Sequence, residues 1–549
     1  MRSMTNVTRK QQIITGQGIA GGYAIGRLRF YRRYRVGDAP VPAKDTSEEL
    51  GIFASACERA YSQLTELYEN TRVGVGEAEA DIFDIHRMLL EDEEYTESVE
   101  NYIYEGQSAA SAVMSTAEDF RRMLSSLEDE YLSARAADVE DISRRLYRII
   151  TGKSEARLPD SDEPFILVAD DLSPSEAVQL DRSRLLGFVT FAGSKTSHTA
   201  ILARAMGIPA IIGTGEIPDS LDGENAIIDS KRGELIIEPD LAYLDRYTEK
   251  LRRRAEEEKR LRGLIGRPTR TKSGRTVKLY ANIGSADEAD TAYENDAEGI
   301  GLMRSEFLYL GAADYPDEET QYNAYREVVE KMHGRPVIIR TLDIGADKKT
   351  DYFSLPREDN PALGFRAIRL CLSRRELFKT QLRAICRASA KGRVSVMLPM
   401  IVSVDEVRRA REILVEVKNE LRYDCIPFDE NIPLGIMIET PAAAMMSGEL
   451  AREVEFFSVG TNDLTQYTLA ADRQNPELFE LCRHNIEPVL RLIEITAKNA
   501  HAAGIWVGIC GELASDTELT DRFLAMGIDE LSVSPPCVLA LRERITETE

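Results

Sequence analysis

The chain has 549 residues, with 69 Lys+Arg against 93 Asp+Glu and a formal charge of −24. Hydrophobic residues make up 43% and charged residues 30%, which suits several packed domains of about 100–200 residues each and does not suit a disordered chain. So acidic a balance excludes sequence-independent nucleic-acid binding, which needs Lys and Arg against phosphates.

The longest apolar stretch, around Val394–Val404, is interrupted by Ser395, Pro399 and Ser403 and is too short for membrane insertion. The seven cysteines form no CxxC pair, so neither a zinc framework nor a disulfide scaffold is expected. The first residues, MRSMTNVTRKQQ, have no apolar core after their basic ones and do not read as a signal peptide. The expected location is cytoplasmic.

Residues 12–35 alternate glycines (Gly16, Gly18, Gly21, Gly22, Gly26) with β-formers, which predicts short strands and turns. From Ser47 the period changes. Leu50, Phe53, Cys57, Tyr61, Leu64 and Leu67 recur every three or four residues, and helical patterns continue over Asp81–Leu90, Ala109–Leu127 and Ala134–Ile150. Residues 46–150 therefore read as an all-helical domain. Between Glu77 and Ile149 it carries 19 Asp/Glu and 7 Arg, a net of −12. That charge is either a solvated surface or a docking face for a basic partner, since complementary charge steers encounter.

From Pro164, the β-rich segments PFILVAD, LLGFVTF, PAIIGTG, NAIIDS and GELIIEP alternate with short helical ones. Residues 1–45 and 151–240 are expected to form one α/β domain that the helical one interrupts. Leucine spacing over 241–263, ended by Gly263 and Gly266-Arg267-Pro268, predicts a connecting helix, so 241–266 is the linker. Over 267–549, eight short apolar runs (Val277–Gly284, Gly299–Ser305, Pro336–Ile344, Val394–Ile401, Leu434–Thr440, Phe456–Asp463, Trp506–Gly511, Glu530–Pro535) are separated by helix-length segments. Number and size match a (β/α)8 barrel. An open doubly wound sheet competes, but no Gly-rich dinucleotide fingerprint follows the first strand.

Such barrels carry their chemistry at the C-terminal ends of the strands. Those ends read Arg304, Arg340 with Asp343, Glu439, Asn462 with Asp463, and Cys510 with Glu512, with Lys348, Arg366 and Arg473 just beyond. One charged strand end is readily a salt bridge; five on one rim are not how a core is packed. Arginines offer planar donors to phosphate and carboxylate, and two carboxylates can hold a Mg²⁺ that borrows substrate oxygens. An acyl-phosphate or enol-phosphate would suit the rim. Cys510 either exchanges a proton with carbon or oxygen or is a small buried hydrophobe.

A second cluster, Gly193-Ser-Lys-Thr-Ser-His198-Thr, ends the strand LLGFVTF and leads into Ala200–Arg204. A histidine just before a helix N-terminus sits where a phosphate is welcome and could store a phosphoryl group. The alternative is a Ser/Thr cap with an incidental histidine. The other four histidines lie within helical patterns.

The run GSKTSHTAILARAMGIPAIIGTG resembles the phosphohistidine segment of enzyme I of the bacterial sugar phosphotransferase system, the phosphoenolpyruvate–protein phosphotransferases. GLMRSEFLYL, IIRTLDIGADK, NPALGFRAIR, GIMIETPAA, FFSVGTNDLTQYTLAADR and ICGELASD are similar to that family too, in order from about residue 14 to 540. The resemblance implies a phosphohistidine α/β domain interrupted by a helical domain that binds the carrier protein HPr, then a phosphoenolpyruvate-binding (β/α)8 barrel that dimerises the chain.

It implies Mg²⁺ on Glu439 and Asp463, or Mn²⁺, which accepts the same oxygen ligands. Phosphoenolpyruvate would be held by Arg304, Arg340, Asn462 and Arg473, with Asp463, Lys348 and Arg366 beside them. The phosphoryl group would pass to His198 Nε2 and then to HPr, Cys510 would protonate the enolate to pyruvate, and 241–266 would act as hinge. IHRMLLEDEEY (Ile85–Tyr95) and RAADVEDI (Arg135–Ile142) resemble the family's docking surface, with Met88 as apolar anchor and Arg135 beside it.

The departures cluster around the catalytic set. Ser194-Lys195 replaces Gly-Arg before Thr-Ser-His, losing a bidentate fork. Ala177 stands where a threonine hydroxyl would orient the histidine, so His198 needs another partner for its tautomer. Ala346 and GELASD also differ, and Glu140 replaces a basic docking residue. These leave open a paralogue serving its own HPr-like carrier, or a non-catalytic sensor of phosphoenolpyruvate or carrier. A dikinase or synthase relative would need a nucleotide-binding domain for which there is no room.

Overall fold

The computed structural model describes residues 11–31, 43–74, 77–125, 130–152, 163–170, 184–193, 200, 203, 207–310, 314–345, 353, 358–473 and 475–549. The chain divides into two compact units, Met1–Ala255 and Glu256–Glu549.

The first unit holds an eight-stranded sheet of β1 (Gln12–Thr15), β2 (Gln17–Ile19), β3 (Tyr23–Tyr31), β4 (Phe165–Ala169), β5 (Leu185–Thr190), β6 (Ala210–Ile212), β7 (Asn225–Asp229) and β8 (Glu234–Ile237), in the order β1-β8-β7-β3-β4-β5-β6-β2. β3 pairs with β4 in parallel although more than 130 residues separate them in sequence. Five helices fill most of that interval: α1 (Thr46–Gly74), α2 (Glu77–Leu90), α3 (Glu93–Tyr104), α4 (Ala109–Ser125) and α5 (Glu130–Thr151). Their apolar stripes close on Phe53, Leu64, Phe83, Val99, Val113 and Ile142. Asp92 starts α3 by accepting from the Tyr95 amide at 3.1 Å, which explains the turn inside LEDEEY. The sheet has separate cores on its two faces, one with Leu167, Phe188 and Ala200, the other with Val168, Val189 and Ile228. That is the alternation of buried strands. Leu241–Arg262 is one charged helix, with Tyr247 packed on Ile227 and Ile236.

In the second unit, β9 (Lys278–Ile283), β10 (Ile300–Met303), β11 (Val337–Arg340), β12 (Val394–Leu398), β13 (Leu434–Ile438), β14 (Phe456–Val459), β15 (Trp506–Ile509) and β16 (Glu530–Val533) close into an all-parallel barrel. The eight expected strands are these, and closure rules out the open sheet. The strands read as unbroken apolar runs because both faces are buried. In β13, Leu434, Ile436 and Ile438 join the core under the outer helices, while Met437 joins the inner cluster of Tyr280, Leu302, Ile338, Met397, Phe456 and Cys510. His333 lies just past the helix Glu318–Lys331 at positive φ, not within it. Among the described residues no helix is long and apolar enough to cross a membrane.

Candidate active site at the C-terminal rim of the barrel

The strand period of two carries the inner face up to the rim. Two residues beyond the inward Leu302, Ile338 and Met437 stand Arg304, Arg340 and Glu439. The turns and helices at the strand ends hold the site in place. After Glu439, Thr440 caps the helix Pro441–Met445: its hydroxyl accepts from Ala443 N at 3.0 Å and donates to Ile401 O at 2.8 Å. The Glu439 carboxylate accepts the Met400 amide at 2.6 Å from a Met400 held at φ +57°. A non-glycine in that region is a strain that local structure must sustain. Asn462 and Asp463 occupy the first turn of the helix Thr461–Leu469, directly after β14.

The rim is an interlocked charge network. Arg340 Nη2 donates to Glu306, and Nη1 lies 3.1 Å from Asp343 Oδ2. Arg366 reaches the other Asp343 oxygen through Nη2 at 2.8 Å and Nε at 3.2 Å. Glu439, Asp463, Glu306 and Asp343 are all buried, as are Arg340 and Arg366. Burial opposes the charge of both arginines, but the surrounding carboxylates outweigh it and raise their pKa values. Among the described residues, four buried acids thus face two buried guanidiniums. The excess falls on Glu439, whose pKa is pushed up to about 8, first by burial and then by repulsion from Asp343 and Asp463.

A divalent cation would offset this excess of acids, and Glu439 and Asp463 bring the hard oxygen donors that Mg²⁺ or Mn²⁺ prefers. The donor set therefore fits such an ion. The Arg340 Nε–H, buried and without a partner among the described residues, is a donor open to a ligand.

The remaining predicted residues fall around this core. Arg304 is exposed, and its guanidinium has no ion pair among the described residues. Arg473 is exposed, with Nε 3.7 Å from Asp463 Oδ1. Asn462 is tied to Glu512 by two bonds, Nδ2 to Oε1 at 3.0 Å and the Glu512 amide to Oδ1 at 2.8 Å, which leaves one amide hydrogen for a ligand. Cys510 is buried at the floor, its thiol directed at Val459 O at 3.6 Å, and burial pushes its pKa up to about 12. It stays a thiol at neutral pH.

Two site residues went unread in the sequence. Glu306, two positions past Arg304 in MRSEF, locks Arg340, and Tyr467 approaches Arg366 Nη1 at 3.4 Å. The signal for Glu306 was present, a third polar residue immediately after a strand end.

In the helical segment Met88 is 70% exposed on α2, whereas Phe83, His86 and Leu90 of the same helix are buried. His86 Nε2 lies 3.4 Å from Asp138 of α5. Glu140 pairs with Arg144 one turn on. His198, Lys195, Ala177, Ala346 and Lys348 lie outside the described residues, as does the side chain of Arg135.

Comparison with known proteins places these parts in a family. The sequence matches the PEP-binding domain of PEP-utilising enzymes over residues 258–549, their N-terminal domain over 15–135 and their mobile domain over 161–233. It is 39% identical over 536 residues to the phosphoenolpyruvate-protein phosphotransferase of Priestia megaterium, covering 97% of this chain and 93% of that one. It is 44% identical over 499 residues to the protein of the same name from Haemophilus influenzae, covering 90% and 87%. A solved structure described as an NMR solution structure of Enzyme I overlaps 43% of this chain and 97% of its own, at 32% identity and a TM-score of 0.38, too loosely to bear on the fold. The chain belongs to the PEP-utilising enzymes, among the phosphoenolpyruvate–protein phosphotransferases.

Proposed function

We propose that the chain takes the phosphoryl group of phosphoenolpyruvate onto His198 and passes it to a histidine of an HPr-type carrier, releasing pyruvate. The observation that carries this reading is the buried rim: two guanidiniums and four carboxylates of the barrel, with an unused Arg340 donor and a protonated thiol beneath them.

Arg304 and Arg473, exposed at the mouth, bind the phosphate and carboxylate of the substrate. Lys348 is assigned beside them on residue type alone. The spare amide hydrogen of Asn462 and the open Nε–H of Arg340 add fixed donors, preorganised for charge that spreads over a transferring phosphoryl. When bound at Glu439 and Asp463, a divalent cation supplies the positive charge that draws electron density from that group.

As the bond between phosphorus and the enol oxygen breaks, a bond from phosphorus to His198 Nε2 forms. The enolate then takes the Cys510 proton at its terminal carbon, giving pyruvate and a thiolate. The exposed Met88 presents an apolar anchor on the helical surface where the carrier would dock. Cytoplasmic location and a homodimer formed through the barrel belong to the same reading.

Incubation with ³²P-phosphoenolpyruvate and Mg²⁺, with and without HPr, tests it. The expected result is acid-labile label on the wild type, chased onto HPr, and none on His198→Ala. Normal labelling of His198→Ala would remove His198 from the mechanism; no label and no pyruvate from the wild type would favour a non-catalytic sensor.

A further inference from the structure

Behind the rim lies a side chain that the site itself does not include. Gln381 sits on the helix Arg375–Ser389, outside the barrel strands, and is 1% exposed. Its amide oxygen accepts the Leu342 amide at 2.9 Å, and its amide nitrogen donates to Ser305 Oγ at 3.0 Å and to the Tyr325 hydroxyl at 3.1 Å. Chemistry fixes this orientation. A backbone N–H only donates, so the oxygen faces Leu342 and the two amide hydrogens face the two hydroxyls. Ser305, Leu342 and Tyr325 are themselves buried. Packing alone would favour a hydrocarbon here, because a buried amide must find its partners or cost stability.

Two of these contacts fall inside the rim turns. Ser305 stands between Arg304 and Glu306 in the turn after β10, and Leu342 between Arg340 and Asp343 in the turn after β11. β10 and β11 are neighbours in the barrel. Gln381 therefore ties together the two turns that supply both carboxylates on Arg340: Glu306 from the first, at Nη2, and Asp343 from the second, 3.1 Å from Nη1. The Leu342 amide needs only an acceptor. The arm to Ser305 satisfies no backbone group, and it joins one turn to the other. Tyr325 extends the tie outward: its hydroxyl donates to Gln321 Oε1 at 3.2 Å, which also takes the Tyr309 hydroxyl at 3.1 Å.

We propose that Gln381 is a positioning residue for phosphoryl transfer, holding the two turns in the alignment at which Glu306 and Asp343 grip Arg340 from either side. The inference rests on the reading of the rim as the phosphoenolpyruvate site. Gln381 touches neither substrate nor reacting atoms and works through Arg340. Were the turns to slide past each other, the guanidinium would follow one carboxylate and lose the other, and its open Nε–H would no longer point where charge develops. A misplacement of about 1 Å can cost about 100-fold in rate.

The experiment measures steady-state pyruvate release from phosphoenolpyruvate by the full chain with Mg²⁺ and excess HPr, with turnover expressed per folded molecule. Gln381→Met keeps the length and loses all three bonds; kcat should fall about 10-fold or more while KM stays within about twofold. Tyr309→Phe removes a bond of the same buried network without touching either turn, and should lower Tm with kcat unchanged. In a Glu306→Gln background the grip is already loosened, so adding Gln381→Met should change kcat by less than about twofold. Independent, multiplying losses in that double variant, or a fall in Tm from Gln381→Met with kcat unchanged, would overturn the proposal. Should Gln381→Met fail to fold, Ser305→Ala, which severs only the arm between the turns, carries the test: a lower kcat at constant KM supports the tie, and an unchanged kcat overturns it. No pyruvate from the wild type would overturn the underlying reading and the inference with it; a normal wild type with kcat unaffected in the variants overturns the positioning role alone.

Discussion

Arg340 and Arg542 are buried arginines at opposite ends of one barrel, and their surroundings differ in kind. Every guanidinium nitrogen of Arg542 is engaged: Nε with Thr269 at 3.0 Å, Nη1 with Leu264 O and the Asp296 carboxylate, Nη2 with Asp296 O at 2.6 Å. Arg335 also pairs with Asp296, at 3.0 Å, and Glu298 lies 3.8 Å from Arg542 Nη2, so two guanidiniums meet two carboxylates there. Around Arg340, among the described residues, a donor stays open and acids outnumber bases. A satisfied network is what stability selects. A surplus of buried like charge destabilises the protein on its own and makes sense where an ion and a charged substrate complete it.

Glu439→Gln breaks the comparison most sharply. Pyruvate release should fall by about a thousandfold or more, yet Tm should hold or rise, because one of the mutually repelling acids is gone. A large loss of Tm would mean that Glu439 is structural and that the surplus has another explanation. Cys510→Ala should come next, slowing pyruvate formation about 10²–10⁴-fold while KM changes less than about twofold, since the proton is needed only once the enolate forms. Unchanged turnover would take Cys510 out of the reaction.

The opposite end should respond in the opposite way. Arg542→Met leaves Asp296 short of its main partner inside the protein and should cost about 3 kcal/mol, a fall in Tm of roughly 5–10 °C for a unit of this size, with turnover per folded molecule unchanged. The acid side has a sign as well. The Gly266 amide, Arg542 and Arg335 overcome the effect of burial and hold the Asp296 pKa below the usual carboxylate value. Its contribution is therefore complete above the ordinary carboxylate pKa and is lost as pH falls through the depressed folded value. Urea denaturation from pH 6 downward should show this loss in the wild type, and Asp296→Asn should flatten it.

These two ends were not equally legible. The strands were readable because inner and outer clusters bury both faces, and Arg304, Arg340, Glu439 and Asp463 were readable because a charge directly after an apolar run is conspicuous. The pairing was not readable: that Arg340 divides between Glu306 and Asp343 while Arg366 takes the other Asp343 oxygen depends on three loops meeting in space. Met88 lay between these cases, since helical period separates it from Phe83 and Leu90 without saying what it meets.

The smallest expected effect concerns that helical surface. Glu140 lies on α5 of the helical domain, where the resemblance leads us to expect a basic docking residue, and its charge is already partly offset by Arg144. Exposed pairs of this kind are worth about 0.2–1 kcal/mol, so Glu140→Arg should change the apparent affinity for an ordinary HPr by no more than about fivefold and act mainly on the association rate. An improvement that vanishes at high salt would indicate that this chain is tuned to a carrier with a differently charged face. Full transfer to ordinary HPr, at rates the substitution leaves alone, would mean that the acidic helical surface is solvated and that Met88 and its apolar neighbours decide the docking.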